Sequence, residues 1–394
     1  MDDGESRQAK VMCRIADIPA KSWDACANPD PARFNPFVSH AFLNALEAAG
    51  TTGPQAGWMP QHIVLERPDG RLKALMPLYA KSHSRGEYVF DHAFADAYHR
   101  AGGRYYPKLQ CAVPFTPVPG RRLLVAPDAD RDTAERTLIA AALTLAEKTG
   151  SSSLHITFAT QEEWERLGKI GLLQRTGQQF HWTNRGYASF GDFLSSLASR
   201  KRKMVRKERA EATRDGIAVR WVTGADISEA DWDTMYEFYI DTGLRKWGRP
   251  YLNRAFFSEL GRTMADRCLL IFADRAGQPI AGALHLIGGD CLYGRYWGAS
   301  EHVPCLHFEL CYYQAIDYAI AHGLQRIEAG AQGEHKLARG YDPVTTYSVH
   351  WFADEGLAAG VQRYLADERR AVAESNRMLA AFAPYRKALS QEQD

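Results

Sequence analysis

The chain has 394 residues, 48 of them basic and 47 acidic, and 45% are hydrophobic. That length exceeds the roughly 250–300 residues at which a single core stops growing, so two domains are expected. The balanced charge excludes a global field that would gather nucleic acid or an anionic membrane. Seven scattered cysteines without a C-x-x-C pair argue against a disulfide framework or a zinc ribbon. The polar start and the lack of any apolar run of about 18 residues lead to the expectation of a cytoplasmic protein with no membrane span.

In chain order, Ser39 to Ala49 reads as a helix closed by Gly50, with Phe42, Leu43 and Leu46 on one face. A hairpin follows, His62 to Glu66 and Leu72 to Ala80, turning at Pro68-Asp69-Gly70. Residues 81–123 form a long stretch of low periodicity, rich in aromatics, His, Gly and Pro. Its aromatic content argues against disorder and its length suggests function. Asp132 to Lys148 reads as an amphipathic helix stopped by Gly150, before a strand from Leu154 to Phe158.

The second half repeats this order. Helices around Asp231 to Thr242 and Ala255 to Ala265 precede a hairpin, Leu269 to Ala273 and Ile280 to Ile287. A third strand, Cys291 to Trp297, leads to a helix from Leu306 to His322, closed by Gly323, and then to a strand-like run from Gln325 to Ala329. The repetition predicts two α/β domains of one type, spanning 1–190 and 195–370, with a helical tail over 371–394. At their junction, Arg200 to Arg209 holds seven basic residues and one acid, which as a helix would carry mutually repelling cations and suit an anionic partner. Solvated surface is the plainer reading, since no aromatics interleave for base stacking.

Two stretches carry candidate chemistry. Glu328 to Asp342 crowds carboxylates, an imidazole, a lysine, an arginine and three glycines directly after a strand, a composition suited to moving protons or holding an anion. Arg295-Tyr296-Trp297-Gly298-Ala299-Ser300 lies between strand and helix, where free N–H groups favour an anion. It approaches the R/Q-x-x-G-x-G/A loop by which GNAT-superfamily acetyltransferases hold coenzyme A, with Ser300 in place of the final Gly/Ala. No Ser-His-Asp or Cys-His arrangement is legible, and no histidines stand at metal-ligand spacing, so no metal is expected.

Gly86-Glu87-Tyr88-Val89-Phe90-Asp91, Tyr105-Tyr106-Pro107-Lys108-Leu109, Pro114-Phe115-Thr116-Pro117, Gln179-Phe180-His181-Trp182, Gly294-Arg295-Tyr296-Trp297-Gly298, Leu306-His307-Phe308-Glu309 and Gly330-Ala331-Gln332-Gly333-Glu334-His335-Lys336 together resemble the bacterial FemAB-like family of N-acyltransferases, labelled peptidoglycan biosynthesis/recognition. The resemblance covers about residues 20–370 and implies two tandem GNAT-like domains, each a mixed sheet flanked by helices. It is similar to Fem-type aminoacyltransferases, which attach amino acids from aminoacyl-tRNA to a cell-wall precursor. It departs from their Asp-x-Gly-Gly pattern, since Glu328-Ala329-Gly330-Ala331 and Arg339-Gly340-Tyr341 match only loosely.

The resemblance implies an acyl or aminoacyl transfer to an amine by direct attack, with acyl-CoA or aminoacyl-tRNA as donor substrate and a small-molecule or muropeptide-like acceptor. In that frame Glu334 or His335 would accept the amine proton, Tyr341 would protonate the leaving group, and Lys336 and Arg339 would hold phosphate or carboxylate. Glu309 is a further catalytic candidate, although at a helix start capping competes with chemistry for it and for His307. Arg295, Trp297, Gly298, His307, Gln332 and Gly333 are candidate donor or substrate contacts, joined by Tyr88, Asp91, Tyr106 and Lys108 from the aromatic stretch. Arg200 to Arg209 would be the contact for tRNA. The alternative is a recognition protein of the same fold that performs no chemistry and binds a peptidoglycan-like or phosphate-bearing ligand.

Overall fold

The structure, a computed structural model, describes residues 9–247, 250–330 and 333–386. Along the chain come β1 (Ala9–Met12), α1 (Ala20–Ala27), α2 (His40–Ala48), β2 (Trp58–Pro60), β3 (His62–Glu66), β4 (Leu72–Met76), β5 (Leu78–Lys81), α3 (His92–Arg100), β6 (Lys108–Cys111), β7 (Leu124–Val125), α4 (Arg131–Thr149), β8 (Ser153–Ala159), α5 (Gln161–Lys169) and β9 (Leu173–Thr183). There follow α6 (Phe190–Ser196), α7 (Ser199–Ala212), β10 (Ile217–Thr223), α8 (Glu229–Trp247), α9 (Arg254–Met264), β11 (Cys268–Arg275), β12 (Gln278–Ile287) and β13 (Cys291–Ala299). The last elements are α10 (Leu306–Phe308), a π-helical turn (Glu309–Tyr313), α11 (Gln314–Ala321), β14 (Arg326–Glu328), a 3-10 turn (Glu334–Arg339), β15 (Asp342–Phe352) and α12 (Glu355–Ala380).

Two units make up the chain: residues up to Gly177 with Tyr251–Thr263 and Thr345–Ala373, and Gln178–Pro250 with Met264–Val344 and the residues from Glu374 on. In the first unit, β2, β5, β6, β8 and the end of β15 lie side by side, antiparallel except for β6 and β8, which run parallel. A smaller antiparallel sheet, in the order β1-β3-β4-β7, adjoins in sequence. Local signals set the helices: the Ser39 side chain caps α2 by accepting from the Phe42 N–H, Thr160 and Glu163 form a capping box on α5, and Gly150 ends α4 in the left-handed region at φ 63°. The core packs Leu138, Ile139 and Ala142 of α4 against Ile63, Met76, Leu109, Leu154 and Ile156.

In the second unit, β10, β11, β12 and β13 are antiparallel in sequence order, β13 and β14 are parallel, and β14 pairs antiparallel with the end of β9. The chain reaches β14 through α10, the π turn and α11. That segment buries Leu306, Leu310, Tyr313 and Ile316 against the sheet residues Leu269, Ile271 and Leu292. Each unit is thus a mixed sheet flanked by helices, with one parallel pair bridged by a helix that ends near a glycine. The residues 81–123, read from the sequence as one aperiodic stretch, contain α3 and β6. They escape notice because α3 buries only Phe94 and Ala95, and β6 is four residues buried on both faces that include Lys108.

Candidate active site

The parallel pairing of β13 with β14 covers only Cys291–Tyr293 against Arg326–Glu328. There β14 ends, while β13 continues to Ala299. Among the described residues, the edge of β13 from Gly294 onward has no strand partner on that side, so its backbone groups face the space left by the departing chain. A bulge at Leu284/His285 on β12, which leaves Arg295 as the extra residue of β13, bends the strand at the same point. The result is a cavity of about 100 Å³ whose walls include Leu284, His285, Gly294, Arg295, Trp297, His307, Cys311, Tyr312 and Ala329. The π turn supplies Cys311 and Tyr312; such an extra residue in a helix re-aims side chains and recurs at functional sites.

His285 is the residue that the sequence did not single out. Its ring is 1% exposed and lies against the backbone of Ala283 and Cys311, yet neither ring nitrogen makes a hydrogen bond of ordinary geometry. Burial pushes its pKa down to about 4, so the imidazole is neutral at pH 7 and offers one donor and one acceptor. An unpaired buried imidazole costs free energy, which a ligand in the cavity would recover. In the sequence it is a single histidine inside an apolar strand, a pattern that packing explains equally well.

The glycine-rich stretch after β14 borders this cavity. Gly330, Gly333 and Gly340 all have positive φ, at 80°, 123° and 92°, which accounts for three glycines in eleven residues. Between the last two, Lys336 and Arg339 are buried while Glu334 and His335 are exposed. Lys336 Nζ donates to the Gly330 carbonyl at 3.1 Å, next to the cavity residue Ala329. Burial lowers its pKa to about 8, an effect the nearby Cys311 partly opposes. His335 Nε2 meets the Tyr312 hydroxyl at 2.9 Å and so joins the cavity wall through that phenol. Arg339 pairs with both Glu208 carboxylate oxygens, at 2.7 and 3.1 Å, donates to the His335 carbonyl, and stacks 3.5 Å from the Phe308 ring. Tyr341 is fully buried, its hydroxyl has no hydrogen-bond partner, and burial raises its pKa well above the usual phenol value. Glu334 is not part of the cavity wall, and Gln332 lies outside the described residues.

Of the other candidates, Arg295, Trp297 and His307 line the cavity, with the Trp297 and His307 rings 5.2 Å apart. Gly298 allows a close helix approach: a Cβ there would stand 2.0 Å from the Phe238 carbonyl oxygen of α8. Glu309 is buried and held by Arg209 of α7 and by the Gln314 amide, which accounts for its charge structurally. The basic run forms α7 as expected. Glu208 and Arg209 anchor that helix to the 3-10 turn and the π turn, while Arg200, Lys203, Arg206 and Lys207 remain exposed.

Tyr88, Asp91, Tyr106 and Lys108 fall in the first unit. Lys108 is fully buried and bonds Glu87 at 2.7 Å, Ser84 at 3.0 Å and Asp91. Tyr105 donates to Asp91 at 2.7 Å and meets His155, whose other nitrogen contacts His350. Burial works against each charge here, but Glu87 and Asp91 outweigh it at Lys108, whose pKa is raised. At Asp91 the upward push of burial is outweighed by Lys108 and His155, which hold the carboxyl below its usual range. Tyr106 is half-buried and meets Ser84 at 2.8 Å, and Tyr88 is half-buried with φ 61°. Among the described residues no cluster of His, Cys, Asp or Glu is placed to hold a metal ion, and no helix is long and apolar enough to cross a membrane.

The model of the FemAB-like family, described as peptidoglycan biosynthesis/recognition, matches residues 14–387. None of the curated proteins compared matches the chain. Among solved structures, FemX is 12% identical, with 88% of this chain and 98% of that one covered at a TM-score of 0.55. The C-terminal domain of an Agrobacterium fabrum protein assigned as a lysylphosphatidylglycerol synthetase is 8% identical, covering 88% and 96% at 0.53. A protein of unknown function from Bacteroides thetaiotaomicron is 14% identical, covering 87% and 99% at 0.52. At these identities the likeness is one of fold. The chain belongs to the FemAB-like family, described as peptidoglycan biosynthesis/recognition.

Proposed function

We propose that the second unit is the catalytic one: it binds an activated acyl group in the cavity between β13 and the departing β14 and passes it to an amine by direct attack. The observation that carries this reading is the short parallel pair, which ends at Tyr293 and Glu328 and leaves a β13 edge beside a buried, unpaired His285. Backbone N–H groups aimed from that edge into the cavity would hold the oxyanion of the tetrahedral intermediate. Neutral His285 holds the acyl carbonyl or the attacking amine in line. Lys336, with a pKa of about 8, takes the amine proton in its neutral form, since a base works best when its pKa lies near the working pH. The Tyr312 hydroxyl, fixed by His335, hydrogen-bonds the leaving sulfur or oxygen. The donor is then a coenzyme A thioester or an aminoacyl-tRNA-type ester, and a cell-wall precursor amine is the acceptor that fits the family.

The test is transfer of labelled acyl groups from thioester and tRNA-ester donors to muramyl-peptide and simple amine acceptors. His285→Gln should lower kcat/KM by about 10- to 100-fold, or roughly 1.4 to 2.7 kcal/mol. Activity should rise with pH through about 8, because deprotonation of Lys336 creates the base, and that limb should vanish in Lys336→Met. Full activity in both variants would remove the proposed roles, and a binder without any transfer would favour the recognition reading.

A further inference from the structure

The charge of the cavity wall restricts what can sit inside it. No Asp or Glu lines the cavity among the described residues. The ionisable groups that do face it are Arg295, His285, His307, Cys311, Tyr296 and Tyr312, with Lys336 beside it. The carboxylates in its neighbourhood stand outside that wall. Glu309 is held by Arg209 and Gln314, and Glu334 is exposed; Glu328, one residue before the wall residue Ala329, has one oxygen 3.4 Å from Arg326 Nε and its other oxygen buried, but it is not part of the wall. The Gly330 carbonyl, which could otherwise receive an N–H donor, already accepts from Lys336. An ammonium group placed here would lose its water and meet the Arg295 guanidinium, with Lys336 beside it, rather than a counter-ion, a costly arrangement for a buried charge. A methyl group of the same size would meet Trp297, Leu284, Ala283 and Ala329. The volume, about 100 Å³, suits a short chain.

We infer that the acyl group accepted by this cavity is short and carries no ammonium, so that the donor is a simple acyl ester or thioester rather than one bearing an unblocked amino acid. This rests on the proposed transfer site and narrows it. Propionyl and glycyl groups provide a matched pair, since they differ by one methyl replaced by one ammonium. Calorimetry on the full chain would compare propionyl-coenzyme A with glycyl-coenzyme A, and 3′-propionylamino- with 3′-glycylamino-adenosine, which stand for the two carriers.

The propionyl member of the pair that binds should be at least about tenfold tighter at pH 6.5. The gap should close toward about pH 9, where an α-amino group with pKa near 8 loses its proton. Cys311→Asp, which places a carboxylate on the half-buried wall, should shrink the gap at pH 6.5 by about tenfold. Equal or tighter binding of the glycyl member overturns the inference and leaves the transfer site standing. Failure of both members on both carriers removes the transfer site itself, and the inference with it.

Discussion

In the first unit, the space beyond the parallel pair β6/β8 is filled by the protein itself. Past Ile156, the Thr157 carbonyl accepts from Arg122 Nε at 2.9 Å and the Phe158 carbonyl from the Gly120 N–H at 2.9 Å. The same Arg122 guanidinium, fully buried, also reaches the carbonyls of Val118, Gly120 and Arg121, and Glu163 holds the N–H groups of residues 122 and 123. In the second unit, the matching space beyond β13/β14 is a cavity with an unpaired histidine on its wall. In each unit one strand of the parallel pair outruns the other, β8 in the first and β13 in the second, and side chains decide whether the gap becomes core or site.

The treatment of charge follows the same division. The first unit buries Lys81, Lys108, Glu87 and Asp91 together, and desolvation moves Lys81 down and Glu87 up, each to about 7. The second unit ties its buried Glu309 to Arg209 of α7, and sets Glu328 beside Arg326 of β14. Removing one member of the first cluster should have the largest effect in the molecule. Lys108→Met leaves Glu87 and Asp91 buried without their partner and should cost about 3–5 kcal/mol, read as a lower urea midpoint. A loss below about 1 kcal/mol would mean that water already reaches the cluster and that the unit is less closed than its burial suggests.

Next comes the plug. Arg122→Met keeps most of the volume but leaves several buried carbonyls without a donor, for about 1–3 kcal/mol of stability. The converse change fills the open gap. A Cβ on Gly294 would meet the His285 ring at 3.5 Å and the Ala329 Cα at 3.6 Å, ordinary contact distances, so a side chain there is sterically tolerated at its base. Gly294→Leu should therefore fold, occupy the cavity as Arg122 occupies its counterpart, and weaken acyl-donor binding by at least about tenfold. Unchanged binding would place the donor elsewhere.

Much of this comparison was legible in the sequence, and the missing part has a physical cause. Periodic apolar faces, helix-ending glycines at 150 and 323, and hairpin turns mark elements through contacts a few residues apart, and most of those elements stand within a few residues of the observed ones, although the strand expected over Leu72 to Ala80 divides into β4 and β5 in different sheets. The cavity depends instead on β14 stopping after three residues while β13 runs on, and nothing in Arg326-Ile327-Glu328 announces that stop. The same holds for Glu309 and Arg209, a pair 100 residues apart that makes a candidate acid into an anchor. The glycine-rich stretch was visible by composition, but which of its charged residues turn inward was set by the left-handed angles at Gly330, Gly333 and Gly340.

That inward and outward sorting gives the smallest expected effect, and the most discriminating one. From composition alone Glu334 is the natural base, because it stands among Gly333, His335 and Lys336 in a run suited to proton transfer. In the structure it is exposed in the first turn of the 3-10 helix, whereas Lys336, two residues on, is buried with its amine on the Gly330 carbonyl beside the cavity. An exposed carboxylate cannot exclude water from the proton it takes, while a desolvated lysine with pKa about 8 is tuned for the task. Glu334→Gln should accordingly change kcat/KM by less than about twofold, and the rise in activity through pH 8 should persist. If it instead lowers kcat by about 10² or more while donor binding is unchanged, the turn must close over the cavity during turnover and bring Glu334 to the amine. Lys336 would then be left to hold charge rather than to move a proton.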